Sequence, residues 1–347
     1  MKIKLLLLGA TLSLTGAVLA DDDEYVFEAG HPSLQEWLLP TKVPFPAGNE
    51  PTSARVDLGH KLFFDPRLSG DKNMSCASCH NPSLGWSDGL PTAKGVKSMT
   101  LGRASPTVIN TAYNTIQMWD GRKKDLEDQA TGPLEATVEM NADMKLVISW
   151  LNDNEGYKAL FGKAYPGEPI TSATLAKAIA SYERTVISNN SPFDRWVKGE
   201  KNAMTAQQIN GFKIFVGKAD CALCHSAPNF TDNAFHNLGL ASHASAKPDL
   251  GRYDIKPSNA TRGAFKTPTL RDIERTAPYF HDGSAKTLLD VVEHYDRGGD
   301  VATDRSKFVK PLKLSKQEKL DLVAFMKALT SPMMAVTLPD LPLENSK

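Results

Sequence analysis

Cysteine is scarce in this chain of 347 residues: there are four, and all of them fall inside two copies of Cys-x-x-Cys-His. None remains for a disulfide framework. An excess of charge of one sign is also missing. Lys and Arg total 40 against 40 Asp and Glu, which excludes the basic footprint of a nucleic-acid binder. Local charged patches that steer a protein partner stay compatible with that balance. Apart from Leu5 to Leu19, no run is apolar enough to span a bilayer, and that one is short for the task. Histidine is absent from Asn81 to Cys224. Strand patterns are hardly signalled, so the fold class expected is mainly α.

What is present is concentrated in the two motifs, Cys76-Ala77-Ser78-Cys79-His80 and Cys221-Ala222-Leu223-Cys224-His225. Each reads as a covalent attachment site for a c-type haem, with the cysteines on the vinyl groups and the histidine on the iron. A zinc site would use four cysteines without needing a histidine at the same offset twice. A dithiol redox site needs no histidine after its second cysteine. The N-terminus agrees with haem attachment outside the cytoplasm. Lys2 and Lys4, the apolar stretch and Val18-Leu19-Ala20 read as a secretory signal over residues 1–20, removed on export to the periplasm. No cysteine at the cut argues for a lipid anchor, and stable membrane insertion is not expected.

The motif surroundings repeat. Gly59-His60-Lys61-Leu62-Phe63 precedes the first motif and Gly211-Phe212-Lys213-Ile214-Phe215 the second; Trp86-Ser87-Asp88 follows the first and Phe230-Thr231-Asp232 the second. An internal repeat means two similar modules. The Pro-rich residues 21–50 are expected to wrap the surface, residues 51–195 to form a first haem domain and residues 196–347 a second. Helical apolar spacing covers Asn141 to Leu151, Ser172 to Ile187 and Ser315 to Leu329, with Ser172 and Thr174 as cap candidates. Long loops run over Gly85 to Arg103 and Phe235 to Pro268, and long loops around a cofactor are often functional.

What fills the far face of each iron decides between carrier and catalyst. An electron carrier has both axial positions filled, by His/Met or His/His. Met99, Met118, Met140, Met144 and Met204 are available as thioethers near the first motif, although methionine is more often a core filler. For the second haem, Tyr295 taken alone is a helix-end aromatic before Gly298-Gly299, and packing is its simpler role; Met326, Met333 and Met334 are rival ligands.

Several segments resemble the di-haem cytochrome c peroxidase/MauG superfamily. They include Leu62-Phe63-Phe64-Asp65-Pro66-Arg67-Leu68-Ser69, Pro106-Thr107-Val108-Ile109-Asn110, Trp119-Asp120-Gly121-Arg122, Leu126-Glu127-Asp128-Gln129-Ala130 and Gly132-Pro133-Leu134. The second half adds Pro268-Thr269-Leu270-Arg271, Ala277-Pro278-Tyr279-Phe280-His281-Asp282-Gly283 and Tyr295-Asp296-Arg297-Gly298-Gly299. The resemblance implies two cytochrome c-like haem domains packed together, a peroxide-reacting first and an electron-transfer second. It implies that Trp119 couples the haems and that Glu139 stands over an open first iron with Gln129 and Pro133 nearby. Glu139 would act as base and then acid on peroxide. Reductively activated peroxidases carry a histidine on the loop after the first motif; Leu90 to Gly102, the matching loop, has none. Tyr295 takes the far axial place of the second haem, as in MauG-type members. A calcium ion is implied between the modules, on the carbonyls of Thr276 and Pro278, with the usual Asn replaced by Ala104.

The expected activity is that of a periplasmic di-haem peroxidase, with hydrogen peroxide as oxidant and a small cytochrome c or cupredoxin as electron donor. One alternative is a MauG-like use of peroxide to oxidise side chains of a partner protein, against which stands the absence of an aromatic at Ala219-Asp220. A non-catalytic di-haem carrier and a gas sensor are the others; neither needs a proton shuttle at Glu139. Arg67, Arg122, Arg252 and Arg271 are candidates for the haem propionates.

Overall fold

The computed structural model describes residues 25–344, so the secretory-signal expectation at residues 1–20 lies outside the described residues. Among the described residues ten α-helices carry the fold: α1 Ser53–Phe64, α2 Cys76–Cys79, α3 Leu126–Glu135, α4 Met144–Asp153, α5 Glu155–Ala164, α6 Ser172–Glu183, α7 Pro192–Val197, α8 Ala206–Val216, α9 Leu288–Asp296 and α10 Lys316–Ala328. The strands among the described residues are β1 Phe235–His236 and β2 Phe265–Lys266, antiparallel, with Phe235 opposite Lys266. Among the described residues no helix is long and apolar enough to cross a membrane.

Local chemistry explains where the helices start. Thr205–Gln208, Thr287–Asp290 and Ser315–Glu318 form reciprocal capping boxes at α8, α9 and α10, satisfying backbone N–H groups that the first turn leaves orphaned. Each such cap contributes about 1 kcal/mol. For α6 the cap is Thr171 paired with Thr174, one residue before the Ser172 expected from sequence, and the helix stops at Glu183, short of Ile187.

Two apolar cores result. One gathers Leu58, Leu62 and Phe63 of α1 with Leu151, Tyr157, Phe161 and Ile179. The other is an aromatic stack of Trp37, Phe193, Trp196, Phe212, Phe215, Phe230 and Phe325. The repeat read from the sequence reappears as one helix crossing used twice. Gly59 on α1 faces the Ala178 carbonyl of α6, where an added Cβ would sit 1.9 Å from the oxygen. Gly211 on α8 faces the Asp321 carbonyl of α10 at 2.0 Å. Only glycine lets the backbones approach so closely.

The first and last described segments cross between the cores. Residues 25–37 do more than wrap the surface: Leu34 and Trp37, on the turn Pro32–Trp37, are 0% and 1% exposed in the second core. Their burial removes large apolar area from water, roughly 2–3 kcal/mol for each side chain. Conversely, Met334 and Val336 pack on the first core. There the Arg67 guanidinium donates to the Pro342 carbonyl at 2.8 Å, and the Asn154 amide to that of Leu343 at 2.9 Å. Helix α7 places Phe193, Trp196 and Val197 in the second core, so a domain boundary at residue 195 falls inside that helix.

Candidate active site: two haem-attachment pockets

Each motif histidine is held in the same way. Gly85 and Trp86 both adopt positive φ, +65° and +60°, and this turn aims the Trp86 carbonyl at His80 Nδ1, 3.3 Å away. Phe230, with φ +54°, aims its carbonyl at His225 Nδ1, 2.9 Å away. A carbonyl only accepts, so Nδ1 carries the proton in both rings and Nε2 keeps its lone pair for a metal. This is the structural meaning of the repeated Trp86-Ser87-Asp88 and Phe230-Thr231-Asp232 segments.

Three of the four motif cysteines are held as neutral thiols by burial. Burial raises the Cys76 thiol above its ordinary value; burial, then the charges of Asp88 and Glu139, push Cys79 up to about 11; burial and nearby charges push Cys221 up to about 12. Cys224, Asp232 and His236 do bring potential ligand atoms within 4.8 Å of one another. A thioether at Cys224 removes its sulfur from that set and leaves His236 hydrogen-bonded to Asp232 at 2.9 Å.

Beside the first motif, the loop from residue 90 to 102 is folded back on itself. Ala93 N–H donates to the Arg103 carbonyl, Leu101 N–H to that of Ala93 and Gly95 N–H to that of Met99. The fold-back is pinned to the turn carrying Glu139: Val96 N–H donates to the Glu139 carbonyl at 2.9 Å, and a Cβ on Gly95 would meet the Val138 oxygen at 1.8 Å. The Cys79 sulfur lies 3.7 Å from the Lys94 carbonyl, so the same loop joins Glu139 to the first motif. On α3, Gln129 and Pro133 are four residues apart and share a face. Met140 N–H donates to the Pro133 carbonyl at 3.1 Å, which turns Glu139 back towards that helix. Burial raises the Glu139 carboxyl above the ordinary glutamate range, and the charge of Arg122 offsets part of the rise.

The methionines that could cap the first iron are mostly placed elsewhere. Met140 and Met144 pack in the first core, Met204 in the second, Met118 lines the second pocket and Met99 is exposed.

The second motif opens on a cavity of about 380 Å³ lined by Cys221, Cys224, His225, Tyr295, Met326 and Trp119. Tyr295 and its rival Met326 thus share one pocket, whereas Met333 and Met334 line a separate cleft of about 130 Å³. Burial raises the Tyr295 phenol above its ordinary value. Ala104, Thr276 and Pro278 lie on the wall of the larger cavity. So does His281, stacked on Phe265 with ring centroids 3.5 Å apart.

Trp119 is braced on all sides. Its indole N–H donates to the Ala104 carbonyl at 2.9 Å, its own carbonyl accepts from Lys266 N–H at 2.7 Å, and its ring meets His281 edge-on. The next residue, Asp120, is clamped by Arg103 at 2.6 Å and Arg122 at 2.8 Å, and Arg103 also holds Asp249 at 2.6 Å. Arg252 donates to the carbonyls of Asp120 and Gly121. Sequence reasoning missed Arg103 and Asp249, which carry no local signal: they are 146 residues apart. Of the propionate candidates, Arg67 is committed to Asp65 at 2.6 Å, and Arg271 to Asp194 at 2.8 Å plus the Trp37 and Pro228 carbonyls.

Comparison with known proteins agrees with this geometry. The family model described as di-haem cytochrome c peroxidase matches residues 53–202. Methylamine utilization protein MauG of Methylorubrum extorquens is 46% identical over 87% of this chain and 86% of its own length. Cytochrome c551 peroxidase of Nitrosomonas europaea is 36% identical over 92% of this chain and 91% of its own. The crystal structure of a MauG-like protein associated with microbial copper homeostasis superposes with a TM-score of 0.78 at 31% identity, covering 85% of this chain and 95% of that one. The chain belongs to the di-haem cytochrome c peroxidase family that includes MauG, and membership implies two c-type haems, matching its two Cys-x-x-Cys-His motifs.

Proposed function

We propose that this chain is an exported, periplasmic di-haem peroxidase. It reduces hydrogen peroxide at the first haem and relays the oxidising equivalents through Trp119 to the second haem and an external electron donor. The observation that carries this reading is Glu139: a carboxyl of raised pKa on a turn pinned to the first motif by a loop that contains no histidine.

The haems supply iron that binds peroxide and stores and passes electrons. The chain supplies the rest. The Glu139 carboxylate takes the proton that peroxide loses on binding and returns it to the departing oxygen, so that with two electrons and two protons the products are two waters. A raised pKa suits a group that must do both. Gln129 and Pro133, on one face of α3, border the place where peroxide sits. Trp119 passes electrons and keeps its proton, since the Ala104 carbonyl holding its N–H is no base. Tyr295, which shares its cavity with His225, would hold the second iron together with that histidine, and an anionic oxygen there would favour the oxidised states. The carbonyls of Thr276 and Pro278 would hold a calcium ion between the modules, a site that lacks a side-chain ligand at Ala104.

A second reading is favoured by Tyr295 and by the 46% identity to MauG: the stored equivalents oxidise side chains of a partner protein. Reduced cytochromes or cupredoxins added after peroxide separate the two, because rapid turnover supports the donor peroxidase and its absence supports the partner-protein reaction.

The test of the common core is the electronic spectrum of the ferric holoprotein. A high-spin component that disappears on adding one equivalent of peroxide is expected. Two low-spin haems inert to peroxide would reduce the protein to a carrier.

A further inference from the structure

Lys266 is a buried cation that makes no ion pair among the described residues. It lies on β2, is 8% exposed and lines the cavity of the second motif. Its backbone N–H is fixed on the Trp119 carbonyl at 2.7 Å, so the residue cannot drift from the tryptophan between the two motifs. Its ammonium donates to the Thr267 carbonyl at 3.2 Å, a neutral acceptor. Asp232 is the carboxylate whose charge reaches it, but Asp232 already accepts from the His236 ring and from Ala234 N–H, both at 2.9 Å. Burial depresses the Lys266 pKa to about 8, as expected of a desolvated ammonium short of an anion.

The other cations around this cavity are either exposed or committed. Lys310 is 60% exposed and paired with Asp220, and Lys247 is exposed. Arg103, beside the wall, is held by Asp120 and Asp249. A charged group is not left buried and unpaired without cost. The group that membership of the family brings to this cavity is a porphyrin bearing two carboxylates.

We propose that Lys266 is the buried cation that pairs with a propionate of the second haem, fixing that haem's charge beside Trp119. The proposal rests on the di-haem reading. A cation held next to a haem destabilises the ferric form, so Lys266 raises the midpoint potential of the second haem. It thereby offsets part of the lowering expected from a tyrosine ligand.

The experiment uses the purified holoprotein. Haem is first counted as the pyridine haemochrome: fewer than two per chain defeats the di-haem reading whatever Lys266 does. With two present, redox titration of Lys266→Met is expected to show the second midpoint falling and the first little changed, while Lys266→Arg stays near the parent. Resonance Raman is expected to show the propionate bending band of the second haem displaced in Lys266→Met and in place in Asp232→Asn. An unmoved second midpoint and an unmoved band in folded Lys266→Met overturn the proposal. So do equal displacements in Lys266→Met and Asp232→Asn, which would make Asp232 the true partner. Should the Met variant not accumulate, Lys266→Gln is read by the same two measurements.

Discussion

In the first module the helix carrying Gly59 crosses α6, and in the second the helix carrying Gly211 crosses α10. In each a carbonyl oxygen occupies the place of the missing side chain. In both modules the carbonyl of an aromatic residue at positive φ, Trp86 or Phe230, orients the motif histidine. The scaffolds are therefore the same up to the near side of each iron. They part in the groups gathered beside each motif. The first module presents a carboxyl on a pinned turn, and the second an aromatic cavity containing Tyr295 and Met326. On the function proposed above, one scaffold serves two roles by changing the groups opposite its histidine.

Removing the distal carboxyl breaks that contrast most severely. Glu139→Gln is expected to slow the reaction with peroxide about 10²–10⁴-fold, the usual contribution of a positioned acid–base group, in stopped-flow mixing. The spectrum of the second haem should not change. In the parent protein the rate should fall as pH drops through the raised Glu139 pKa, because the base becomes protonated. That limb should vanish in Glu139→Gln, and its persistence would assign the titration to another group.

The two cores also differ in how they hold charge. Arg271 and Asp194 are both fully buried, whereas Arg67 is partly exposed and its partner Asp65 also accepts from the Tyr157 hydroxyl at 2.5 Å. Arg271→Met strands a buried carboxylate and should cost about 3–5 kcal/mol in denaturant unfolding. Arg67→Met should cost less, roughly 1–3 kcal/mol, because Arg67 is partly exposed to water although Asp65 itself is buried. Equal losses would mean that burial does not separate the two pairs.

The ligand contrast is sharpened by exchanging Tyr295 for the sulfur found in carriers. Tyr295→Met should raise the second midpoint by on the order of 100 mV, while Met326→Leu leaves it nearly unchanged in the same titration. A large shift in the second variant instead would assign the iron to Met326.

The shared crossing gives the smallest effect. Gly59→Ala and Gly211→Ala should each destabilise by about 1–3 kcal/mol, because a Cβ at 2 Å from a carbonyl forces the helices apart. Similar melting shifts are expected, and a difference would show that the repeat is not energetically equivalent.

Much of this was legible in the chain. The motifs, the repeat around Gly59 and Gly211, the closing helix from Ser315, and the loop without histidine needed only spacing and residue type. Trp37 was not legible, because a Pro-rich segment with one buried turn has too little periodicity to show where it packs. Nor was Lys266, although a lysine between Phe265 and Thr267 is the kind of local inconsistency that marks a function.

Covalent and local chemistry are written in consecutive residues: where haem attaches, where helices begin, which loop lacks an imidazole. Only the tertiary structure decided which remote segments meet. Asp249 reaches Arg103, Leu34 enters the second core and Met334 returns to the first through packing between segments remote in sequence. Hydrophobic burial and charge pairing act through distance in space and are indifferent to separation along the chain.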